Sequence, residues 1–507
     1  MADRQSSYGN EDSVGKQLDE IKKNSRTIKG SLTRYILNTK TLIDGERLRR
    51  ERFGEEDKSK PHKTIILVGE TGTGKSTLIN AIINYMLGVK WEDRIWCEII
   101  ETKDDQTKSQ TNAVTVYDVF AEESPFSLSI IDTPGYGSTE GKEDDLNVTE
   151  TLHELFRSKD GVREIDLVCL VVSSNTTRLT DRQLYVFDSI LSLFGIDVER
   201  NIVVLITHAP KKPKNALKAI KESNVRCAKT GKEPVYFSFD NSHCEDFNED
   251  DDKTAWDKNE ENMQNFFTFL NDSKTVSLKM TENVMKLRKQ LTASIFNLKD
   301  RIKQTDQKKT ELEQTKKALK QYEEEKKDMN NFEYEVDEVY KEMVPIESEW
   351  WHIQSKKATC CRVCKENCHY PGCWWVKDVS WCSVMSKGKC QSCTRKCDAK
   401  DHFRGEKIYV SKTRKVKRTY KDLMKKYEKE SGETKSVMSS LENEIKENEV
   451  EKKYLVEQCY QNVVTLEVTA LKSDSAFVIQ HLDFLIEIMK EIGKTEGVQR
   501  LEELKKM

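Results

Sequence analysis

The strongest chemical signal in the sequence is a glycine-rich loop followed at once by a lysine and two hydroxyl side chains. It reads GETGTGKST and lies between the apolar segment TIILV and the apolar segment LINAIINYML. A strand, such a loop and a helix together make a nest of backbone N–H groups that binds phosphates. Lys75 would contact the β and γ phosphates, and the Ser76 hydroxyl would ligate Mg²⁺. The predicted nucleotide-binding residues of this loop are Gly69, Glu70, Thr71, Gly72, Thr73, Gly74, Lys75, Ser76 and Thr77.

A second motif, DTPG, begins at Asp132 directly after the apolar segment SLSII. A carboxylate there can hold Mg²⁺ through water, while the N–H of Gly135 senses the γ-phosphate. Between the two motifs, the polar stretch DDQTKSQTNAVTVY could supply a further hydroxyl. We predict Thr111 for this role; Thr107 and Thr115 are alternatives, and an ordinary loop threonine is the competing interpretation. The predicted Mg²⁺ ligands are Ser76, Thr111 and Asp132, and the predicted catalytic residues are Lys75, Thr111, Asp132 and Gly135.

A third set of reactive residues is a cysteine cluster whose spacing occurs twice. The first copy is C-x2-C-x3-C-x4-C and the second is C-x2-C-x3-C-x4-H. Eight soft ligands suit two closed, structural Zn²⁺ sites, paired either sequentially or in a cross-braced way. Disulfides or free buried thiols are the alternatives, and Cys360, His369 or Cys382 could substitute for one ligand. The predicted zinc ligands are Cys361, Cys364, Cys368, Cys373, Cys390, Cys393, Cys397 and His402.

The composition excludes one compact core through the whole chain of 507 residues. Hydrophobic residues are 36% and charged residues 34%, against about 45–50% and about 25% in ordinary globular chains. A net charge of −3 provides no basic field, so nucleic-acid binding is unsupported. The polar N-terminus has no apolar signal region, and the longest apolar run, residues 165–172, is too short to cross a bilayer. We expect a cytoplasmic protein with reduced thiols and no transmembrane segment.

The patterning of the first half favours a helix followed by an α/β domain. Residues 1–60 hold apolar side chains at three- and four-residue steps, which predicts an N-terminal helical segment. Residues 63–270 alternate short apolar runs with amphipathic stretches, which is typical of strands separated by helices.

The second half predicts two charged helical arms around the cysteine cluster. Heptad-like apolar positions predict coiled-coil arms over residues 275–345, ending at Pro345, and over residues 410–470. We therefore expect a helical hairpin whose turn carries the Cys-rich zinc module, residues 360–403, far from the nucleotide. Residues 474–507 predict an amphipathic helix that packs at the base of the arms.

Four blocks of the first half resemble a known family. They are GETGTGKSTLIN, the DTPG box, RLTDRQLYVFDSILSLFG, and ITHAP followed by FDNS. They resemble the immunity-associated, septin-related GTPases of the AIG/IMAP type, with the chloroplast outer-envelope import GTPases as cousins. The third block also predicts a helix capped by Thr180 with Gln183. The resemblance covers about residues 63–270 and implies an α/β P-loop GTPase domain with a mostly parallel sheet.

Guanine recognition is implied by this resemblance. Typical GTPases use an aspartate in an N/TKxD motif, and the corresponding THAP segment has no acid. The import GTPases have a similar TH-containing motif, so the resemblance implies that Thr207 and His208 lie at the base, with His208 stacked on it. Asp240 or Asn241 of the FDNS stretch would supply polar contacts. A loop histidine after a strand is the alternative interpretation of His208.

These features predict a GTP-binding switch that hydrolyses GTP slowly. Tyr136 stands where Ras-like enzymes carry a water-positioning glutamine, so we expect a partner or a second protomer, meeting across the nucleotide face, to accelerate turnover. The GTP or GDP state would control self-association or the binding of an unknown protein at the stalk tip. The alternatives are a nucleotide-binding scaffold with negligible turnover and an ATP-driven coiled-coil tether. The tether lacks an LSGGQ-like segment, and Thr133 follows Asp132 in place of a catalytic glutamate.

Overall fold

The computed structural model describes most of the chain as two compact units. The described residues are 16–30, 32–101, 113–134, 142–158, 160–244, 249–324, 333–346, 357–370, 372, 376, 378–419, 422, 434–472 and 476–506. One unit comprises Met1–Asn283 with Thr469–Lys472, and the other comprises Val284–Val468 with Ser473–Met507.

The first unit is built from strands and helices that alternate along the chain. Its strands are β1 (Arg26–Ile28), β2 (Thr33–Ile36), β3 (Lys40–Asp44), β4 (Leu48–Phe53), β5 (His62–Val68), β6 (Ile95–Glu98), β7 (Val114–Val119), β8 (Ser127–Asp132), β9 (Glu164–Ile165), β10 (Leu167–Ser173), β11 (Ile202–Thr207), β12 (Lys229–Thr230), β13 (Glu233–Pro234), β14 (Tyr236–Ser238) and β15 (Val276–Ser277). Its helices are α1 (Lys16–Asn24), α2 (Lys75–Met86), α3 (Lys142–Arg157), α4 (Asp181–Leu191), α5 (Lys214–Glu222) and α6 (Glu249–Asp272), with 3₁₀ turns at Trp91–Asp93, Ile196–Asn201 and Ser242–Cys244.

An eight-stranded sheet in the order β14-β11-β10-β5-β8-β7-β4-β3 forms the centre of this unit. The strands from β14 to β8 are parallel, while β7 pairs antiparallel with β8. Strands β5, β10 and β11 are nearly continuous apolar runs, as expected of parallel strands covered by helices on both faces. The predicted α/β domain is confirmed, and the apolar segments TIILV and SLSII form parts of β5 and β8 in this sheet.

The prediction of a helical segment over residues 1–60 is wrong beyond its start. Only α1 is helical among the described residues of this range, and four strands follow it. Strand β2 pairs in parallel with β6, and β4 pairs in parallel with β7, so both depend on partners far along the chain. Ile28 and Tyr35 fit a helical period locally, but Ile28 pairs with the neighbouring β2 and Tyr35 pairs with Cys97 of the distant β6.

Asp166, directly before β10, is only 1% exposed and makes several polar contacts at this end of the sheet. Its carboxylate accepts from the backbone N–H of Thr64 at 2.7 Å, from Lys63 Nζ at 3.1 Å and from Thr275 Oγ1 at 2.7 Å. Its carbonyl accepts from Asn201 Nδ2 at 2.7 Å. One side chain therefore joins β5 to the segments that precede β10 and follow α6.

Replacing Asp166 with Asn should lower the free energy of unfolding of the first unit by about 3 kcal/mol, because the buried Lys63 ammonium loses its counter-charge. Chemical denaturation followed by tryptophan fluorescence measures this. The matched control is Asp44→Asn, whose ion pair with Arg49 is exposed and should contribute less than about 0.5 kcal/mol. Equal losses for the two variants would contradict the central role of Asp166.

The second unit combines long helices, a two-stranded ribbon and small strands. Helix α7 (Lys279–Glu324) begins in the first unit and continues into the second unit. The helices that follow the cysteines are α8 (Thr434–Thr469), α9 (Ala476–Glu491) and α10 (Thr495–Lys506). Its strands are β16 (Glu333–Pro345), β17 (Ala358–Cys361), β18 (Glu366–His369), β19 (Met385–Ser386), β20 (Lys389–Cys390), β21 (His402–Gly405) and β22 (Lys407–Thr419), with 3₁₀ turns at Val379–Trp381 and Ala399–Asp401. None of the helices in the described part of the chain has the length and apolar character that a bilayer crossing needs.

Helices α7 and α8 run antiparallel within the second unit. Arg301 pairs with Glu451 at 2.8 Å, Lys309 with Glu449 at 2.9 Å and Lys316 with Glu442 at 3.0 Å. Partner numbers fall on α8 as they rise on α7, and the pairing is therefore antiparallel. Leu298 of α7 and Leu455 of α8 are both buried.

The prediction of one helix through residues 275–345 is wrong for residues 333–345, and that of a helical arm starting at residue 410 is wrong for residues 410–419. Strands β16 and β22 pair antiparallel from Glu333↔Thr419 to Pro345↔Lys407. The apolar positions of this region also fit a heptad, but β16 is acidic and β22 is basic. Cross-strand attraction such as Glu338–Arg414 at 2.7 Å therefore favours the ribbon.

The predicted position of the cysteine module at the turn of a helical hairpin is also wrong. Asn297 of α7 exchanges hydrogen bonds with the backbone of Asn367 at 3.3 and 3.2 Å, and Arg301 pairs with Glu366 at 3.3 Å. The ribbon returns along α7, because Thr315 contacts Tyr334 while Asp300 pairs with Lys341. The module consequently lies beside the first half of α7 and not at its end.

Candidate nucleotide and metal sites

The glycine-rich loop connects β5 to α2 and has the backbone shape that a phosphate requires. Gly72 and Gly74 have φ values of 81° and 80°, in the left-handed region that favours glycine. A Cβ on Gly69 would lie 2.7 Å from the carbonyl oxygen of Val171 on β10. The loop can therefore wrap closely against the sheet and lead into α2, whose N-terminus favours an anion.

Lys75 is buried at the first position of α2. Its Nζ donates to the carbonyl oxygens of Gly69 at 2.8 Å and Glu70 at 3.1 Å. Burial lowers the pKa of this ammonium, and the negative charges of Asp132 and Glu70 oppose that shift only in part. A triphosphate would supply the counter-charge that a buried ammonium needs.

The residues on the metal side of the site come from adjacent strand ends. Asp132 ends β8 opposite Leu67 of β5, and Ser76 lies in the first turn of α2. Thr133 Oγ1 donates to the carbonyl of Leu67 at 2.8 Å and so fixes the chain after Asp132. A serine hydroxyl and a carboxylate are hard oxygen donors of the kind that Mg²⁺ prefers, and the residues present fit this ion.

Several predicted residues on this side lie outside the described part of the chain: Thr107, Thr111, Gly135 and Tyr136. Thr115, the remaining alternative to Thr111, is a buried residue of β7. Its hydroxyl contacts the carbonyl oxygen of Ala113 at 3.4 Å, within its own segment.

A cavity of about 70 Å³ lies next to Gly74 of the loop. Thr207 ends β11 and anchors the loop, because its Oγ1 donates to the carbonyl of Thr73 at 2.7 Å. His208 has φ 49°, and its ring lies so close to the loop that a Cβ on Gly74 would be 3.3 Å from its Nε2. The cavity is lined by Gly74, Thr77, Thr207, His208, Asn241 and Ser242.

Asn259 on α6 holds the segment that lines this cavity, and no sequence motif marks it. Its Oδ1 accepts from the Asp240 N–H at 2.8 Å, and its Nδ2 donates to the Asp240 carbonyl and, at 3.2 Å, to Asn241 Oδ1. The Asp240 carboxylate accepts from the Ser242 N–H at 3.4 Å. Of the two predicted base-contacting residues, the structure thus places Asn241 on the cavity and turns Asp240 into its own loop.

Comparison with known proteins adds a family to this geometry. Residues 63–228 match the AIG1 family. This part of the chain is therefore an AIG1-type G domain. Within this G domain, the predicted capping box at the start of α4 is confirmed, with Thr180 Oγ1 accepting from the Gln183 N–H at 3.1 Å. Arg182 in the same turn lies 3.5 Å from Glu70 of the phosphate loop.

Individual relatives share only this domain. Immune-associated nucleotide-binding protein 13 of Arabidopsis thaliana is 29% identical over 154 residues, which are 30% of this chain and 40% of that protein. Septin-14 of Mus musculus is 28% identical over 169 residues, which are 31% of this chain and 36% of that protein. The chain therefore spans less than half the length of the curated relatives it matches. The crystal structure of Toc33 from Arabidopsis thaliana in complex with GDP and Mg²⁺ is similar at 18% sequence identity. The similarity covers 44% of this chain and 90% of that chain, with a TM-score of 0.31. A TM-score this low adds nothing to the fold assignment.

The cysteine module of the second unit contains two groups of side chains that could each hold a metal ion. Within each group the ligand atoms all lie within 4.8 Å of one another. The groups are Cys361, Cys364, Cys393 and Cys397, and Cys368, Cys390, Cys393 and His402. Both groups mix the two halves of the repeat, as a cross-braced pairing would, and they have Cys393 in common.

The thiols and the imidazole are oriented as metal ligands usually are. The backbone N–H groups of Cys364 and Cys393 donate to the sulfurs of Cys361 and Cys390 at 3.3 and 3.4 Å. His402 Nδ1 lies 2.9 Å from the Asp398 carbonyl, which leaves Nε2 as the coordinating atom. Among the described residues this buried Nε2 has no hydrogen-bond partner. The donor set fits a thiophilic ion such as Zn²⁺.

The remaining candidate ligands of the predicted module are Cys373, Cys360, His369 and Cys382. Cys373 lies outside the described residues. Cys360 is buried and its sulfur contacts Asn367 Oδ1 at 3.3 Å, while Cys382 lies 3.3 Å from His369 Nδ1. Neither Cys360 nor Cys382 belongs to the two groups.

Replacing Lys75 with Ala should weaken binding of a nucleoside triphosphate by about a hundredfold, because charge-assisted hydrogen bonds to phosphate are lost. Titration of fluorescent GTP at fixed Mg²⁺ measures the affinity. Lys229→Ala removes an exposed lysine of the same domain and should bind as the unchanged protein does. Unaltered affinity in the Lys75 variant would exclude this loop as the phosphate site.

Proposed function

We propose that the protein is a GTP-binding switch that hydrolyses GTP slowly. One observation carries this proposal: the phosphate loop and the cavity lined by His208 and Asn241 meet at Gly74. Phosphate and base can then be bound on either side of one residue. The names of relatives that describe nucleotide binding agree with the proposal.

Asn241 supports guanine as the base. Its Oδ1 accepts from Asn259, so its NH₂ group would be the part left to contact a base. Guanine presents an acceptor, O6, where adenine presents an amino donor. An amide donor would bind the first and oppose the second. His208 would supply a flat surface for the ring.

Each residue of the phosphate side has a distinct role in this proposal. Lys75 would neutralise the β and γ phosphates, and the loop N–H groups would orient them. Ser76 and Asp132 would hold Mg²⁺, with Thr111 as the proposed third residue. When bound, Mg²⁺ neutralises charge between the two terminal phosphates.

Slow turnover follows from Tyr136, which replaces the glutamine that positions water in Ras-like enzymes. A second copy meeting this one across the nucleotide face would supply the missing group. The same substitution favours a second candidate function, a nucleotide-binding scaffold that does not turn over.

The second unit would carry the output of the switch. We propose that it binds two structural zinc ions and provides the surface through which the nucleotide state controls self-association or partner binding. Zinc would replace a hydrophobic core in the small cysteine module. Thiolate ligands remain reduced in the cytosol, which makes the cytoplasm our proposed location.

Base selectivity tests the assignment of guanine. Asn241→Ala should weaken GTP and ITP by about tenfold, because both lose a hydrogen bond to O6, and should not weaken ATP, whose amino group the amide opposes. Asn259→Ala should reproduce the same selective loss, since Asn259 orients Asn241. Competition against fluorescent GDP measures all three ligands, and Asn271→Ala on the same helix is the control. ATP binding as tight as GTP in the unchanged protein would overturn the assignment.

Turnover at varied protein concentration separates the switch from the scaffold. We expect phosphate release per chain to be slow when the protein is dilute and to rise with concentration, since a second protomer completes the site. The Lys75→Ala protein sets the background. A rate that never exceeds this background at any concentration would favour the scaffold and exclude the GTPase.

A further inference from the structure

Cys393 belongs to both groups of metal ligands in the cysteine module. Two tetrahedral ions require eight ligand positions, and the two groups offer seven residues, with Cys393 counted twice. We propose that the module holds one binuclear zinc centre in which the Cys393 thiolate bridges both ions. This inference rests on the proposed zinc binding and defines how the two ions are joined.

The ligand sets interleave the two halves of the repeat. Cys361 and Cys364 bind the first ion together with Cys397, which comes from the second half. Cys390 and His402 bind the second ion together with Cys368, which comes from the first half. Cys393 completes each set to four.

Charge favours the sharing of a thiolate. Two separate sites of four thiolates and of three thiolates with an imidazole would carry a total of −3 with two Zn²⁺ ions. The shared centre has six thiolates and one neutral imidazole, so it carries −2. Most of these side chains are buried, and Cys368, Cys390 and Cys393 are fully so. Less uncompensated charge in a buried site lowers its desolvation cost.

The surroundings of Cys393 fix its position from both sides. The Cys393 N–H donates to Cys390 Sγ at 3.4 Å, and the Cys397 N–H donates to Cys393 Sγ at 3.2 Å. Thr394, the next residue, donates to the buried carboxylate of Glu366 through its N–H at 2.8 Å and its hydroxyl at 2.5 Å. Glu366 is in turn paired with Arg301 of α7. A bridging sulfur must be placed accurately toward two ions, and these contacts hold its loop.

The shared thiolate couples the two ions. Loss of Cys393 leaves each set with three ligands at once, whereas loss of Cys397 affects the first ion alone. Binding of one ion also deprotonates and orients a ligand of the other. In the unchanged protein, binding of the first ion is therefore expected to strengthen binding of the second.

Metal content of the full chain, purified without oxygen or chelators, tests the proposal. We expect two zinc ions per chain, one in Cys397→Ser, and fewer than one in Cys393→Ser. Cys360→Ser is the matched control, because this buried thiol of the same module is outside both groups, and it should retain two. Cys373→Ser, which removes the eighth ligand predicted from the repeat, should also retain two. Loss of one ion from Cys373→Ser, or retention of one ion by Cys393→Ser, would overturn the bridge.

A measurement on the unchanged protein avoids dependence on the folding of variants. Replacement of zinc by ¹¹³Cd should give two NMR resonances split by a ¹¹³Cd–¹¹³Cd coupling through the shared sulfur. Two resonances without coupling would overturn the bridge and keep the two proposed ions. Fewer than one metal ion per chain would overturn zinc binding itself. GTP affinity in the same sample reports on the G domain separately.

Discussion

Parallel pairing of β5 between β8 and β10 is the constraint on which the nucleotide site depends. The carboxyl ends of parallel strands meet at one edge of a sheet, so the phosphate loop, Asp132 and the β10 end are brought together there. The adjacent strand β11 brings Thr207 and His208 to the same edge. Asp166 ties down the opposite end of β5 and β10, and burial of both strands leaves little freedom of register.

Local patterns sufficed where function and local structure coincide. The loop from Gly69 to Thr77 follows an apolar strand and begins a helix, and all of these features lie within one short segment. The Thr180 capping box is likewise a contact between residues three apart. Asp132 could be placed because a strand ends there.

Other features depend on partners that are distant in sequence. Strands β2 and β4 are stabilised by β6 and β7, and β16 by β22, so their apolar spacing alone did not identify them. Asn259 has no motif because its role arises only when α6 packs beside Asp240. The grouping of the cysteines into two sets of potential metal ligands could not be predicted either. Both halves of the repeat offer equivalent spacings, and only the fold decides which sulfurs lie close together.

The return of the ribbon along α7 limits how the second unit can change in length during evolution. Each residue adds about 3.3 Å to a strand but about 1.5 Å to a helix. Contacts such as Asp300–Lys341 and Gln314–Asp337 fix the two elements side by side at separate points. An insertion of two residues in both strands therefore matches an insertion of about four residues in α7, close to one helical turn. Insertions and deletions in this unit should be tolerated mainly when ribbon and helix change together in that ratio.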